Sequence, residues 1–94
     1  MPRVADAIER KLNEAFAPTR LAILDESHRH AGHAGARPEG ETHFRIEMVS
    51  AAFAGHGRIA RQRLVYGALA EELRTDIHAL QFTALLTPAE DAAR

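Results

Sequence analysis

Hydrophobic residues recur along this chain with two different periods, and the first period is helical. Val4, Ile8, Leu12 and Phe16 are spaced four residues apart, and most residues between them are charged or small. This stripe is typical of an amphipathic helix that buries one face, and Pro18 marks its end. The N-terminal segment is therefore predicted to be a helix packed on another layer of structure.

Three later segments have the composition or the alternation of β-strands. Residues 20–25 (RLAILD) form a short aliphatic run, and residues 42–49 alternate between apolar and polar positions. Both patterns predict strands, the second with one buried face. Residues 77–86 (IHALQFTALL) predict a third strand. Strict alternation assigns the following residues to one side of that strand: Leu80, Phe82, Ala84 and Leu86.

The remaining segments predict a second helix, a long loop and a tail. Residues 58–74 have helical spacing, with the apolar positions Ile59, Tyr66, Leu69 and Leu73. Residues 27–40 have neither period and are rich in His, Gly and Arg, so they are expected to form a long loop. The polar residues 87–94 are expected to be a flexible tail.

The predicted order of helix, strand, strand, helix and strand defines one α+β domain over residues 1–94. Its two layers are a three-stranded sheet and the helices on one face of that sheet. The net charge is −1, so no overall field attracts nucleic acid, and any such role would need a local basic patch. No apolar segment is long enough to cross a membrane. We expect a cytoplasmic protein that is monomeric when alone.

Histidine is the residue type that points to chemistry in this chain. There are six histidines and no cysteine, and three of the histidines lie together in the predicted loop as HRHAGH, residues 28–33. His78 stands apart, where the second helix gives way to the last strand. Imidazole ligates borderline metals. A metal bound here would therefore use nitrogen and oxygen ligands, and any thiolate would come from a partner.

A set of short segments, in order along the chain, resembles the BolA family. Together they span nearly the whole sequence: DES at 25–27, His30, ETHF at 41–44, VS at 49–50, Phe53 with Gly55, RQRLVY at 61–66, LAEEL at 69–73 and HAL at 78–80. The resemblance implies a fold like a type II KH domain. One position departs from the family pattern, because Gln62 stands where the family usually has the histidine of Arg-His-Arg.

The resemblance also implies a partner and a cofactor. BolA proteins pair with monothiol glutaredoxins and share a [2Fe-2S] cluster, for which the glutaredoxin and its glutathione provide thiolates. Carried over by motif, the histidine ligands would be His78 and His30, with His33 as the alternative to His30. The implied role is in iron-sulfur trafficking or iron homeostasis, and no cluster is expected in the isolated chain.

The strand directions implied by the family raise a geometric difficulty for such a pair. If the first and third strands are parallel neighbours, the loop and His78 lie at opposite ends of the sheet. A loop of about 14 residues spans at most about 45 Å, so folding back would still be feasible.

A second functional interpretation rests on the basic segment GHGRIARQR. Arg58, Arg61 and Arg63 at the start of the second helix suit contact with DNA phosphates or docking onto an acidic partner surface, and the alternative is a solvated face without function. His43 is expected on the face of its strand away from the core, as a surface or supporting residue, and His56 is expected to be exposed. No arrangement of nucleophile and base stands out, so an enzyme is not indicated.

Overall fold

The computed structural model describes residues 2–27 and 40–94. His28, His30 and His33, together with most of the predicted loop, lie outside the described residues. The described elements, in chain order, are α1 (Arg3–Phe16), β1 (Arg20–Asp25), β2 (His43–Val49), a short 3₁₀ helix (Ala51–Phe53), α2 (Arg58–Ala68), α3 (Ala70–Thr75), β3 (Ala79–Leu86) and α4 (Pro88–Ala93).

Helix α1 confirms the four-residue spacing. Val4, Ile8, Leu12 and Phe16 are all buried and belong to the main hydrophobic core. The helix ends at Ala17, which adopts a left-handed conformation and donates its backbone N–H to the carbonyl of residue 13. The core on which α1 packs comes from one face of β2, from Val65 and Leu69 of the second helical segment, and from Phe53, Ile77 and Leu80. The predicted two-layer α+β architecture is confirmed.

The sheet is mixed, with the strand order β1-β2-β3. β1 pairs with β2 in the antiparallel direction, whereas β3 pairs with β2 in the parallel direction. The expectation that the first and third strands are parallel neighbours is therefore wrong, because β2 lies between them and they run in opposite directions. Asp25 lies opposite Phe44, and His43 lies opposite Ala79. The end of β1 and the starts of β2 and β3 thus share one end of the sheet.

The predicted helix over 58–74 is divided in two at Leu69. This buried residue ends α2 and begins α3, and two residues before it stands Gly67, a weak helix former. The buried positions agree only in part with the apolar spacing noted in the sequence, since Leu69 and Leu73 meet the core but Ile59 and Tyr66 do not. Val65 and Leu69 belong to the core, whereas Ile59 is 57% exposed and Tyr66 is 39% exposed.

Strand β3 contains a register shift that strict alternation did not predict. Ile46 lies opposite Phe82, but the next residue of β2 lies opposite Ala84, so Thr83 is an extra residue in β3. Beyond this bulge the face of the strand that meets the core changes. Phe82 and Leu85 pack against the core, and the predicted one-sided face does not continue to Leu86.

The C-terminal residues form α4 where a flexible tail was expected. Thr87 and Glu90 make a reciprocal capping box, in which each side chain accepts a hydrogen bond from the other's backbone N–H. No residue of α4 is buried, and ion pairs join it to the rest of the domain, including Arg61–Glu90 and Arg20–Asp91. Among the described residues, no helix combines the length and apolar character needed to cross a membrane.

Candidate functional site

His78 lies in the turn between α3 and β3, at the end of the sheet where β2 begins. Its backbone N–H donates a hydrogen bond of 2.7 Å to the carbonyl of Thr42, and the N–H of Ala79 reaches the same carbonyl at 3.2 Å. The side chain is exposed. The backbone of His78 is therefore fixed to the start of β2, while its imidazole remains accessible to a partner.

His43 lies beside His78 and is buried, with 6% of its surface exposed. The centroids of the two imidazole rings are 5.3 Å apart, with an angle of 50° between the ring planes. His43 Nδ1 is also 2.8 Å from the hydroxyl of Thr42. The prediction of a surface position is wrong for His43, because its side chain is buried beside that of His78. The alternative, a supporting role, stays a prediction.

Residues at the end of β1 hold Thr42 and His43 in place. The backbone N–H groups of Thr42 and His43 both donate to the hydroxyl oxygen of Ser27, at 2.8 and 3.1 Å. The Ser27 hydroxyl is hydrogen bonded to the carboxylate of Asp25, which also accepts from the N–H of Glu41 at 3.0 Å. The described residues that flank the segment 28–39 are thereby joined next to His78.

Sequence reasoning assigned no role to Ser27 and Thr42. A usable signal was present in Asp25-Glu26-Ser27, because aspartate and serine two residues apart after a strand commonly form a side-chain-stabilised turn. The backbone N–H of Ser27 does donate to Asp25, at 2.9 Å. That these groups also reach the start of β2 depends on strand register, which the local pattern does not reveal.

The surroundings of His78 are polar. His78 borders a shallow hollow of about 310 Å³, whose wall is formed by Thr42, the end of α3 and the turn that follows it. In that turn, Asp76 forms an ion pair with Arg3 at 3.0 Å. The Asp76 carboxylate also holds the pKa of the Arg3 guanidinium above its ordinary value, chiefly through their hydrogen bond.

Within the part of the chain that the structure describes, no group of three or more histidine or acidic residues could hold a metal ion. Iron in an iron-sulfur cluster is four-coordinate. A cluster iron bound to His78 would therefore need further ligands from beyond the described residues. His30 and His33 are the other predicted ligands, and both lie outside the described residues. The donor type and accessibility of His78 fit a ligand contributed to a shared cluster.

The predicted basic group does not act as a unit. Arg61 donates to both carboxylate oxygens of Glu90, at 2.6 and 3.1 Å, and to the carbonyls of Leu85 and His56. Its side chain is only 12% exposed and its guanidinium lies 5.8 Å from the ring centroid of Phe53. Arg61 therefore joins α2, β3 and α4, and its hydrogen bond lowers the pKa of Glu90 to about 2.

The other two arginines of the group differ from Arg61. Arg58 and Arg63 are exposed, and neither forms an ion pair with another described residue. His56 is exposed, as expected. Gln62 is half-buried and lines a hollow of about 520 Å³ between the start of α2 and the end of β3. Of the three arginines in the predicted basic group, Arg58 and Arg63 remain suitable for a phosphate contact.

The fold and the site define a small α+β protein in which a mixed three-stranded sheet presents a histidine at one end. A family model described as BolA-like protein matches residues 12–90. The chain belongs to the BolA-like family, as its motifs indicated.

Named relatives agree with this assignment. The chain is 44% identical over 77 residues to the DNA-binding transcriptional regulator BolA of Escherichia coli strain K12, covering 82% of this chain and 70% of that protein. It is 47% identical over 87 residues to human BolA-like protein 1, covering 93% of this chain and 60% of that protein. The solved BolA domain of SufE1 from Arabidopsis thaliana superposes with a TM-score of 0.81 at 41% identity, over 94% of both chains.

Proposed function

We propose that this BolA-like protein forms a complex with a monothiol glutaredoxin and contributes histidine ligands to a shared [2Fe-2S] cluster. The ligands would be His78 and one loop histidine, His30 or His33. The protein would act as a binding partner in iron-sulfur trafficking or iron homeostasis, and not as an enzyme. Alone, it would be a cytoplasmic monomer without a cluster.

The observation that supports this proposal is the common position of His78 and the described residues on either side of the segment 28–39. Thr42 accepts the N–H of His78 through its carbonyl and donates its own N–H to Ser27. His30 is three residues beyond Ser27, which limits the backbone path between them to about 10 Å at roughly 3.3 Å per residue. The difficulty raised by parallel outer strands is therefore absent.

The cluster, when bound, would supply one-electron chemistry and releasable iron. Replacing thiolate ligands by neutral imidazole removes negative charge from the cluster and raises its reduction potential, as in Rieske centres. In this chain, Thr42 anchors the backbone of His78 and leaves its imidazole exposed. The glutaredoxin cysteine and glutathione would provide the thiolates, since this chain has no cysteine.

The test is spectroscopic. The purified chain is mixed with a monothiol glutaredoxin, iron, sulfide and glutathione, and the visible absorption and circular dichroism spectra are compared with those of the glutaredoxin homodimer. We expect a distinct spectrum that His78→Ala abolishes. His56→Ala, an exposed histidine before α2, is the matched control and should leave the spectrum unchanged. A His78→Ala complex identical to wild type would refute the proposal.

The loop ligand is assigned by the same experiment. His30→Ala and His33→Ala are compared singly and together. We expect one single variant to reproduce the loss seen with His78→Ala, and the other to retain the wild-type spectrum. Retention of that spectrum by the double variant would remove both loop histidines from the site.

We also propose a second function, DNA binding, which the exposed side chains of Arg58 and Arg63 favour. It is supported by the name of the E. coli relative, a DNA-binding transcriptional regulator. The logarithm of the binding constant for duplex DNA should fall with the logarithm of the salt concentration, with a slope of roughly −0.9 per phosphate contact. Each arginine-to-alanine change should make that slope shallower by about one. A slope unaffected by both substitutions would exclude this surface.

A further inference from the structure

The imidazole of His78 is exposed, yet Thr42 and His43 contact it or its backbone from the start of β2. We infer that these two residues position His78, with Thr42 holding the backbone and the His43 ring restricting the side chain. This inference rests on the proposed function, in which His78 is a ligand. His43 is a positioning residue in this arrangement and is not itself a ligand.

The first contact fixes where the side chain of His78 begins. The Thr42 carbonyl accepts from His78 at 2.7 Å and from Ala79 at 3.2 Å, so two successive residues share one acceptor. Thr42 is itself 1% exposed, and its N–H is bound to Ser27 at 2.8 Å. The Cα of His78 is therefore tied to the sheet, despite lying in a turn.

The second contact limits where the imidazole can point. An exposed side chain normally samples several rotamers, and a ligand that must be ordered on binding loses affinity for that reason. The His43 ring lies 5.3 Å from that of His78 and occupies one side of it. Because His43 is buried and its Nδ1 contacts the Thr42 hydroxyl at 2.8 Å, it forms a fixed wall.

The difference in exposure separates the roles of the two histidines. A cluster carried by another protein reaches exposed nitrogen atoms, and only 6% of the His43 surface is exposed. Residues that orient metal ligands typically change metal affinity by about 10- to 100-fold when they are replaced. We expect that range for replacement of His43, and complete loss for replacement of His78.

Three variants separate ring packing from hydrogen bonding. His43→Phe keeps an aromatic ring beside His78, whereas His43→Ala removes it. Thr42→Val removes the hydroxyl that contacts Nδ1 but keeps the backbone carbonyl and nearly the same shape. We expect His43→Ala to weaken cluster retention in the glutaredoxin complex by about 10- to 100-fold, with Phe restoring most of it and Val giving an intermediate value.

A second measurement uses the isolated chain and needs no cluster. In nuclear magnetic resonance spectra of the wild type, we expect ring-to-ring nuclear Overhauser effects between His43 and His78, and a restricted His78 side chain. His43→Ala should give His78 shifts and relaxation like those of the exposed His56. Unchanged His78 relaxation in the folded Ala variant would overturn the inference. If that variant fails to fold, the same comparison is made with Thr42→Val.

The outcomes for the complex distinguish this inference from the proposed function. If His78→Ala has no effect on the spectrum, the proposed function fails, and the positioning of His78 is then decided by the relaxation data. If His78→Ala abolishes the spectrum but His43→Ala and Thr42→Val both match wild type, only the positioning inference fails. If folded His43→Ala and His43→Phe both lose the spectrum as completely as His78→Ala, His43 is a ligand and the inference is wrong.

Discussion

Replacing Ser27 by alanine should both destabilise the fold and disturb His78. Ser27 is 4% exposed, and its hydroxyl oxygen accepts the backbone N–H groups of Thr42 and His43. Alanine offers no acceptor, so the hydrogen bonds of these two N–H groups to Ser27 would be lost in a buried position. Each such group costs about 1–3 kcal/mol, so the expected loss in the free energy of unfolding is about 2–6 kcal/mol.

Ser50→Ala is the matched control for this prediction. Ser50 is fully buried, donates to the carbonyl of Phe16 at 2.6 Å and accepts the N–H of Ala52 at 3.0 Å. It therefore loses a similar pair of hydrogen bonds, but at the opposite end of β2 from His43. We expect comparable destabilisation from the two substitutions and a disturbed His78 from Ser27→Ala alone.

Urea unfolding and His78 resonances measure the two effects. Domains of this size are stable by about 5–15 kcal/mol, so the lower part of the expected loss leaves a folded variant to study. A loss of 3 kcal/mol corresponds to a decrease in melting temperature of roughly 12–24 °C. A decrease of less than about 1 kcal/mol in the free energy of unfolding of Ser27→Ala would refute the structural role of Ser27. An equal disturbance of His78 by Ser50→Ala would refute its specific link to His78.

Two further predictions concern Glu90 and Phe53, both of which Arg61 contacts. The Glu90 carboxyl should titrate with a pKa of about 2, since Arg61 stabilises its charged form. The ion pair therefore stabilises the fold above pH 4.5, and this stabilisation is lost as pH falls towards 2. Arg61→Gln should raise that pKa in a carboxyl-detected titration, and a wild-type value near 4.5 would contradict the assignment. Phe53→Ala should lower the free energy of unfolding, measured in urea, by about 3–5 kcal/mol, because Phe53 is fully buried and its ring centroid lies 5.4 Å from that of Phe16. A decrease of less than about 1 kcal/mol would show that neighbouring side chains move to fill the cavity.

Elements with a regular apolar spacing were predictable from the sequence. The stripe from Val4 to Phe16 defines the buried face of α1, and the alternation over 42–49 defines the core face of β2, because in both cases the hydrophobic period matches the geometry of the element. Helix α4 has no buried residue, so a search for hydrophobic periodicity did not predict it. Ion pairs between residues far apart in the chain hold it, such as Arg20 with Asp91.

The candidate site was predictable only in part. The motif resemblance identified His78, but neither composition nor spacing indicated that His43 lies against it. The two histidines are brought together by the parallel register of β2 and β3, in which His43 pairs with Ala79. The predicted parallel direction of β1 and β3 was wrong for a related reason. Strand order and direction follow from pairing between distant segments and not from the local sequence pattern.

The two contacts that hold His78 differ in how far sequence change can alter them. The hydrogen bond to the Thr42 carbonyl is made by backbone atoms, so most substitutions at position 42 leave it intact, provided that the β2–β3 register is kept. The ring contact depends on the side chain at position 43 and on the hydroxyl at position 42. The location of His78 is thus a property of the fold, whereas the orientation of its imidazole is set by two side chains. Under the proposed function, substitutions at positions 42 and 43 should therefore change how tightly a cluster is held without moving the place where it binds.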